Sequence, residues 1–234
     1  MQIGIVLSCE HASWALPPGE DLGVDRETLR SQAGWDPGAM EIAAHVGERL
    51  GLPVHAGAFT RLYVDLNRPA DHADVVPLVC YGARVPGNAQ LGARDRTQRI
   101  ATFHAPYWDA VTHDVRARLV DPGRCLHLCS HSFDPALDPA NRRFDVGVLY
   151  DPAHELEAMI AEKLLFGLSS KGFEVRANQP YRGTGPAIAT TLRGELGPRY
   201  AGIQLEASHA LVDRAGACEA LADALSPILE ELRS

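Results

Sequence analysis

The chain has 234 residues, of which 46% are hydrophobic, so it is long enough to bury a sizeable core. Its formal net charge of −8 argues against nucleic-acid binding, because phosphate contacts need clustered Lys and Arg. Five cysteines without CxxC spacing predict no disulfide framework, and without an apolar run of about 18 residues we expect no membrane span. With no signal-peptide pattern at the N-terminus, we expect one cytoplasmic domain spanning residues 1–234.

Apolar runs and helical periods alternate along the chain. Strands are predicted over residues 2–8, 53–59, 124–131, 145–151, 173–181 and 201–208. Helices are predicted over residues 35–52, 94–120, 153–168 and 213–232, with a short one near 25–32. The first long helix has Asp36 as a candidate N-cap and Pro37 at its first position, while residues 69–92 show no clear period.

Strands that alternate with helices predict an α/β fold with a mostly parallel or mixed sheet and helices on both faces. In such sheets, ligands bind beyond the carboxyl ends of the strands. Polar residues follow or end four predicted strands: His11, the segment 60–68, His131 and Glu206. We therefore expect one crevice to gather these four separate parts of the sequence.

Two histidines and a carboxylate are a common ligand set for a hydrolytic zinc ion, with a separate carboxylate to accept a proton. His11 and His131 each lie at the end of a strand, and Glu206 ends the apolar run GIQLE. Each signal also has a structural interpretation, namely a histidine in a turn and a glutamate in an ion pair.

The segment TRLYVDLNRP carries several polar side chains around its apolar positions. Asn67 and Arg68 together have the chemistry to hold a carboxylate. Arg61 could stabilise a developing oxyanion, and Asp65 could orient either arginine. The alternative is a surface turn held by local salt bridges.

Taken in chain order, these motifs resemble those of the N-formylglutamate amidohydrolase family. The shared motifs are SCEH, WDPGA, TRLYVDLNRP, FHAPYW, SHSFDP, RFDVG, NQPYRG and GIQLEAS. The family is more distantly similar to the aspartoacylases and zinc carboxypeptidases. The resemblance implies a phosphorylase/hydrolase-like, zinc exopeptidase-like fold, in which a three-layer α/β/α sandwich surrounds a mixed, mostly parallel sheet.

The resemblance also implies a metal site. His11 and His131 match the zinc-binding histidines of the family and its distant relatives, whose second ligand is the glutamate of a His-x-x-Glu motif. Here that position holds Trp14, which cannot bind zinc. Asp36 is the expected replacement, although an N-cap role is equally open to it. Glu10, whose side chain is expected to diverge from its neighbour's, and Glu20 are weaker candidates.

The remaining roles concern the substrate. Glu206 matches the proton-shuttling glutamate of the relatives, and Arg61 matches the arginine that polarises the scissile carbonyl. Asn67 and Arg68 match the pair that holds the substrate carboxylate. Two further residues in family motifs are candidates for substrate contact, His104 of FHAPYW and Tyr181 of NQPYRG, although His104 could instead cap a helix.

The resemblance implies a hydrolase of linear C–N amide bonds that uses one Zn²⁺ ion. Its substrate would be a small, carboxylate-bearing N-acyl amino acid such as N-formyl-L-glutamate, with metal-bound water attacking and Glu206 as general base. One alternative is a non-catalytic carboxylate-binding protein on a degenerate hydrolase scaffold. Another is a serine or cysteine hydrolase, which the absence of a GxSxG motif disfavours. The sequence carries no signal for the oligomeric state.

Overall fold

The computed structural model describes residues 2–234. The strands are β1 Gly4–Cys9, β2 Val54–Ala56, β3 Val79–Cys80, β4 Ala83–Arg84, β5 Cys125–Phe133, β6 Val146–Leu149, β7 Val175–Ala177 and β8 Tyr200–Ser208. Six of them form one sheet in the order β2-β1-β5-β8-β6-β7. All neighbouring pairs are parallel except β8 and β6, which run antiparallel. This arrangement confirms the predicted mixed, mostly parallel sheet.

Helices cover both faces of this sheet. They are α1 Arg26–Arg30, α2 Ala39–Leu50, α3 Pro86–Ala89, α4 Ala93–Arg99, α5 Ala105–Val120, α6 Glu155–Ser170, α7 Ile188–Leu196, α8 His209–Val212 and α9 Ala217–Arg233. Alternate residues of each strand point to opposite faces, so two cores form. Helices α2, α6 and α9 pack on one face, and α5 and α7 pack on the other. The three-layer α/β/α architecture is thereby confirmed, while the single-domain organisation stays a prediction.

No helix within residues 2–234 combines the length and the apolar composition that crossing a membrane requires.

Several segments differ from the sequence-based expectations, among them helix α7, which was not predicted. Helix α2 begins at Ala39, and its N-cap is Gly38 with a left-handed φ of 76°, so the capping alternative for Asp36 is wrong. Residues 69–92 contain the antiparallel hairpin β3-β4, which the sequence analysis missed. Strands of two residues are too short to show a period of two, which explains the omission.

The predicted helix over 94–120 is observed as α4 and α5, joined by a π-helical turn over Ile100–His104. Pro106 lies in the first turn of α5, directly after this π-helical turn. A π-helical turn widens the backbone locally and is frequent at functional sites.

A buried ion pair joins α6, α7 and β8. Glu157 Oε1 accepts hydrogen bonds from Arg193 Nε at 2.7 Å and from the Gly202 backbone N–H at 2.8 Å. The second carboxylate oxygen of Glu157 accepts from the Asp151 N–H. Arg193 also donates to the carbonyl of Gly183, in the loop that precedes α7. The Glu157–Arg193 pair therefore connects α6, α7 and β8 with one another and with the loop that precedes α7.

We expect Glu157→Ala to lower the free energy of unfolding by about 3–5 kcal/mol, because it leaves the Arg193 charge buried without its partner. Urea denaturation followed by circular dichroism measures this loss. The matched control is Glu162→Ala on the exposed side of the same helix, which should change stability by about 0.5 kcal/mol or less. Equal stability of the two variants would contradict the structural importance of the pair.

Candidate active site

A cavity of about 300 Å³ lies at the carboxyl ends of β1, β5 and β8. Eight of the nine residues predicted for the site line it: His11, Asp36, Arg61, Asn67, Arg68, His131, Tyr181 and Glu206. His104 is not among the lining residues. Several other lining residues were not predicted from the sequence, among them Gln32, Tyr81, Ser132 and Gln204. Of these, Gln204 could have been found, because it lies two residues before Glu206 and so shares its face of β8.

Three of the lining residues converge as a potential metal-ligand set. Asp36 Oδ2 lies 3.2 Å from His11 Nδ1 and 2.9 Å from His131 Nδ1, and the three ligand atoms lie within 4.8 Å of one another. A backbone hydrogen bond from the Asp36 N–H to the His11 carbonyl holds the two segments side by side. Among the acids considered from sequence, Asp36 is therefore the one that faces both histidines. Glu20 instead lies at the surface, near Arg99.

The other ring nitrogen of each histidine contacts a second carboxylate. His11 Nε2 lies 2.7 Å from Asp65 Oδ1, and His131 Nε2 lies 3.1 Å from Glu10 Oε2. Metal-binding histidines commonly donate one N–H to a carboxylate, which fixes the tautomer and turns the other nitrogen to the metal. As expected, the Glu10 side chain points away from His11. Its carboxylate instead contacts His131, at the ring nitrogen that does not face Asp36. Asp65 orients His11, and not an arginine as the sequence suggested.

Burial and neighbouring charged groups shift the pKa values of the cluster residues in opposite directions. Burial alone would lower the pKa of His131, but its hydrogen bonds to Asp36 and Glu10 raise that pKa to about 10. Burial would likewise raise the pKa of Glu10, but the His131 hydrogen bond lowers it to about 2. For Asp36, the Arg61 guanidinium and His11 outweigh burial and hold its pKa well below the usual range. The metal-free cluster is thus a protonated histidine between anionic carboxylates.

Four buried polar atoms of the cavity-lining residues have no hydrogen-bond partner within residues 2–234: Gln32 Oε1, Arg61 Nε, Ser132 Oγ and Glu206 Oε2. Glu206 lies directly opposite His131 in the β5-β8 pairing, and burial raises its pKa to about 7. Arg61 Nη2 contacts Asp36 Oδ1, so its guanidinium is anchored at one end while Nε stays unpaired. Buried polar groups are almost always paired in folded proteins. These four atoms therefore indicate that the cavity accepts a polar ligand.

A profile of the N-formylglutamate amidohydrolase family matches residues 3–212. The chain belongs to this family. In a comparison with solved structures, the gene product Atu2144 from Agrobacterium tumefaciens is 27% identical, with a TM-score of 0.85 over 97% of this chain and 89% of that one. The N-formylglutamate amidohydrolase from Ralstonia eutropha JMP134 is 21% identical, with a TM-score of 0.80 over 99% of this chain and 94% of that one. Comparison with curated proteins gives no significant match.

The DLNR motif of this N-formylglutamate amidohydrolase family member forms a tight turn at the cavity wall. Asp65 Oδ1 accepts a hydrogen bond from the Asn67 backbone N–H, which is an Asx-type turn. The Asn67 side chain donates to Gln204 Oε1 and accepts from the Ile188 N–H, at the start of α7. Arg68 Nη1 donates to the Pro186 carbonyl at 2.6 Å. The turn therefore connects the metal-ligand set to the loop before α7.

The FHAPYW motif supports this turn from outside the cavity. His104 Nε2 donates to the Arg68 carbonyl at 2.7 Å, and its ring stacks on Trp108. Trp108 in turn donates to the Leu66 carbonyl. Tyr107 donates to the Glu10 carboxylate at 2.9 Å. The position of His104 therefore gives no support to its predicted contact with substrate, because its imidazole holds the backbone of the DLNR turn.

A second group of metal-capable side chains lies beneath the first and consists of Glu10, His127 and Cys129. Both nitrogens of His127 already have partners, Ser8 Oγ at 2.7 Å and the Tyr200 hydroxyl at 2.9 Å. Burial lowers the pKa of His127 to about 4 and raises that of the Cys129 thiol well above its usual range. None of the three lines the cavity described above, so the neutral His127 and Cys129 and the anionic Glu10 form a buried layer beside the site.

Proposed function

We propose that the chain is a zinc-dependent amidohydrolase that cleaves the linear C–N amide bond of small N-acyl amino acids. N-formyl-L-glutamate, the compound that names the family, is the first substrate to test. The observation that carries the proposal is that one cavity brings together a metal-type donor set and buried polar atoms without a partner, among them Glu206 Oε2 and Arg61 Nε. Glu206 Oε2 has the chemistry of a base, and Arg61 Nε has that of an oxyanion donor.

The donor set suits zinc. Two imidazole nitrogens and one carboxylate oxygen are a frequent zinc ligand set in hydrolases, and they leave a coordination position open. His11, His131 and Asp36 would hold the ion, and Asp36 Oδ2 lies closest to the Nδ1 atoms of the two histidines. When bound, Zn²⁺ supplies a Lewis acid for a carbonyl oxygen and lowers the pKa of a coordinated water to about 7.

The proton transfers belong to Glu206. Its Oε2 takes a proton from the attacking water as the water oxygen bonds to the acyl carbon. It then returns that proton to the leaving amine nitrogen as the C–N bond breaks. A pKa of about 7, raised by burial, suits a group that both accepts and donates near neutral pH. Formate and glutamate are the balanced products for N-formyl-L-glutamate and water.

Arg61 acts on the acyl oxygen. Burial alone would lower its pKa, but the Asp36 carboxylate raises the pKa above its ordinary value, so the guanidinium stays charged. Its unpaired Nε–H is a preorganised donor for the negative charge that develops on that oxygen. The anchoring contact with Asp36 keeps this donor beside the metal-ligand set.

In this proposal, the substrate carboxylates bind to two arginines of the cavity wall, Arg68 and Arg182. Arg68 donates one N–H to the Pro186 carbonyl, and its remaining N–H groups are available for a charge-assisted pair. Asn67 uses both ends of its amide on neighbouring protein groups, so its main contribution is to position Arg68 and the start of α7.

A serine or cysteine hydrolase has less support. Burial raises the pKa of the Cys9 and Cys129 thiols well above the usual range, which removes the thiolate that a cysteine hydrolase needs. The Ser8 hydroxyl is hydrogen-bonded to His127 and does not line the cavity. A non-catalytic carboxylate-binding protein remains the second candidate, because the arginines alone would serve that function.

The test is metal analysis of the purified protein followed by an assay of amine release from N-formyl, N-acetyl and longer N-acyl amino acids. We expect about one zinc ion per chain, activity that chelation abolishes and zinc restores, and much weaker cleavage of the diamide of N-formyl-L-glutamate. Binding of these compounds without amine release by the zinc-loaded protein would favour the binding-protein candidate. Full activity of the metal-free protein would contradict the zinc mechanism.

A further inference from the structure

The hairpin β3-β4 carries a tyrosine in an unfavourable backbone conformation. Its two-residue loop consists of Tyr81 with φ 47° and Gly82 with φ 82°. Two successive left-handed residues define the type I′ turn, whose first position favours Asn, Asp or Gly. A bulky residue there is strained, and such strain is concentrated at functional sites. The hairpin thus holds a tyrosine at a position where a smaller residue would be more stable.

The Tyr81 side chain reaches into the active-site cavity and completes its wall. The Tyr81 hydroxyl lies 2.8 Å from the hydroxyl of Tyr181, which also lines the cavity. The Tyr81 ring lies 5.9 Å from the Arg61 guanidinium carbon, within reach of a cation–π contact. The strained residue therefore lies beside Arg61, which the proposed function places at the acyl oxygen, and beside Tyr181, which lines the same cavity.

The hydroxyls of Tyr81 and Tyr181 have one O–H proton that takes no part in a hydrogen bond. Arg142 Nη1 donates to the Tyr181 oxygen at 3.3 Å, and its guanidinium carbon lies 4.9 Å from the Tyr181 ring. The two phenols share one hydrogen bond, so only one of their two O–H protons is used. The second has no acceptor within residues 2–234. Burial raises the pKa of both phenols, so both protons are present at neutral pH.

We propose that Tyr81 contacts the substrate, and that the Tyr81–Tyr181 pair donates its free O–H to a carboxylate oxygen of the bound N-acyl amino acid. The inference rests on the proposed function for the identity of the ligand. Because the Arg142 guanidinium donates into one end of the pair, it polarises the hydroxyls and makes the free O–H a better donor to an anion. The left-handed backbone at Tyr81 is retained because it directs this hydroxyl into the cavity.

Two variants separate the hydroxyl from the strain. Tyr81→Phe keeps the ring and the strained turn but removes the O–H. We expect it to raise KM for the best N-acyl amino acid about tenfold or more and to leave kcat within about twofold, the effect of losing a hydrogen bond to a charged group. Tyr81→Asn removes the ring and relieves the turn, so its melting temperature should rise by about 2–4 °C while KM rises at least as much.

A binding measurement keeps this test independent of catalysis. Calorimetric titration of the zinc-loaded protein with L-glutamate should show affinity about tenfold weaker in Tyr81→Phe than in wild type. The matched control is Tyr150→Phe, which removes a hydroxyl outside the cavity lining and should change neither KM nor glutamate affinity. Weaker glutamate binding in Tyr81→Phe, in a protein that hydrolyses no N-acyl amino acid, would support the contact and refute the proposed function.

Three results would overturn the inference. The first is unchanged KM and glutamate affinity in Tyr81→Phe. The second is a loss confined to kcat, which would assign the hydroxyl to the chemical step and not to binding. The third is a wild-type protein that does not bind L-glutamate even at millimolar concentration. A raised melting temperature together with weaker binding in Tyr81→Asn would exclude a purely structural role for the side chain.

Discussion

Replacing Glu206 with Gln should lower kcat by about 10²–10⁴-fold while the protein keeps its metal. The substitution preserves shape and removes the only atom in the cavity wall that the proposed reaction uses as a base, Glu206 Oε2. That oxygen is buried and has no hydrogen-bond partner within residues 2–234. The substitution therefore removes the base without breaking a hydrogen bond that this oxygen makes to the protein. Steady-state kinetics with parallel zinc analysis measure the effect.

Two comparisons make this result specific. Glu195→Gln, on the exposed side of α7, is a matched control that should leave kcat unchanged. Zinc content equal to that of wild type would show that Glu206 is no ligand, as its absence from the three-residue metal group indicates. A Glu206→Gln variant with wild-type kcat would refute the general-base role, and with it the mechanism proposed above.

The same substitution has a second effect, on the stability of the metal-free protein. The pKa of Glu206 is about 7 in the folded chain, against an ordinary value of 4.5. Between these values the unfolded chain loses the proton while the folded chain keeps it, so wild-type stability falls as pH rises. The free energy of unfolding falls by about 1.4 kcal/mol per pH unit, and this decrease ends above pH 7.

Glu206→Gln should therefore be more stable than wild type by about 3 kcal/mol at pH 8, whereas the two proteins should have nearly equal stability at pH 4. Chemical denaturation at both pH values, in the presence of a chelator, measures the difference.

Much of the fold and the centre of the site could be predicted because they depend on short-range patterns. A strand shows its burial in its own apolar run, and the carboxyl ends of parallel strands must share an edge. For this reason His11, His131 and Glu206, which are far apart in sequence, could be expected in one crevice. The structure brings all three to the wall of a single cavity.

The partners of these residues could not be predicted, because they depend on how loops pack. Asp36 precedes a proline at a helix start, a pattern that suits an N-cap equally well. Only the left-handed Gly38, which takes the cap position itself, leaves the Asp36 carboxylate to the histidines. Tyr81 carried no signal at all, since its hairpin is too short for periodicity and its contact with Tyr181 spans 100 residues.

Glu10 is the clearest case of a role hidden from the sequence. Its position beside His11 suggested that its side chain would diverge from the metal site, and it does diverge from His11 itself. The divergence places its carboxylate 3.1 Å from the far nitrogen of His131, while the Tyr107 hydroxyl donates a hydrogen bond to its other oxygen. Its pKa of about 2 means that Glu10 faces His131 as an anion at any physiological pH.

Glu10→Gln should therefore weaken zinc binding by about 10–100-fold, the usual effect of removing a carboxylate behind a metal-binding histidine. An amide oxygen keeps a polar atom opposite His131 Nε2, but without the negative charge that makes the imidazole a stronger ligand. Asp65→Asn should give a loss of similar size through His11, which has the equivalent contact. Competition with a chromogenic chelator measures zinc affinity directly, without reference to catalysis.

Tyr107→Phe provides the graded control for the Glu10 substitution. It removes one hydrogen bond to the Glu10 carboxylate but leaves the anion and its contact with His131 in place. Zinc affinity should then fall less than in Glu10→Gln, because the charge on the histidine's partner is retained. If Glu10→Gln bound zinc as tightly as wild type while Asp65→Asn did not, His131 would not bind the metal through Nδ1, and the assignment of the three ligands would have to be revised.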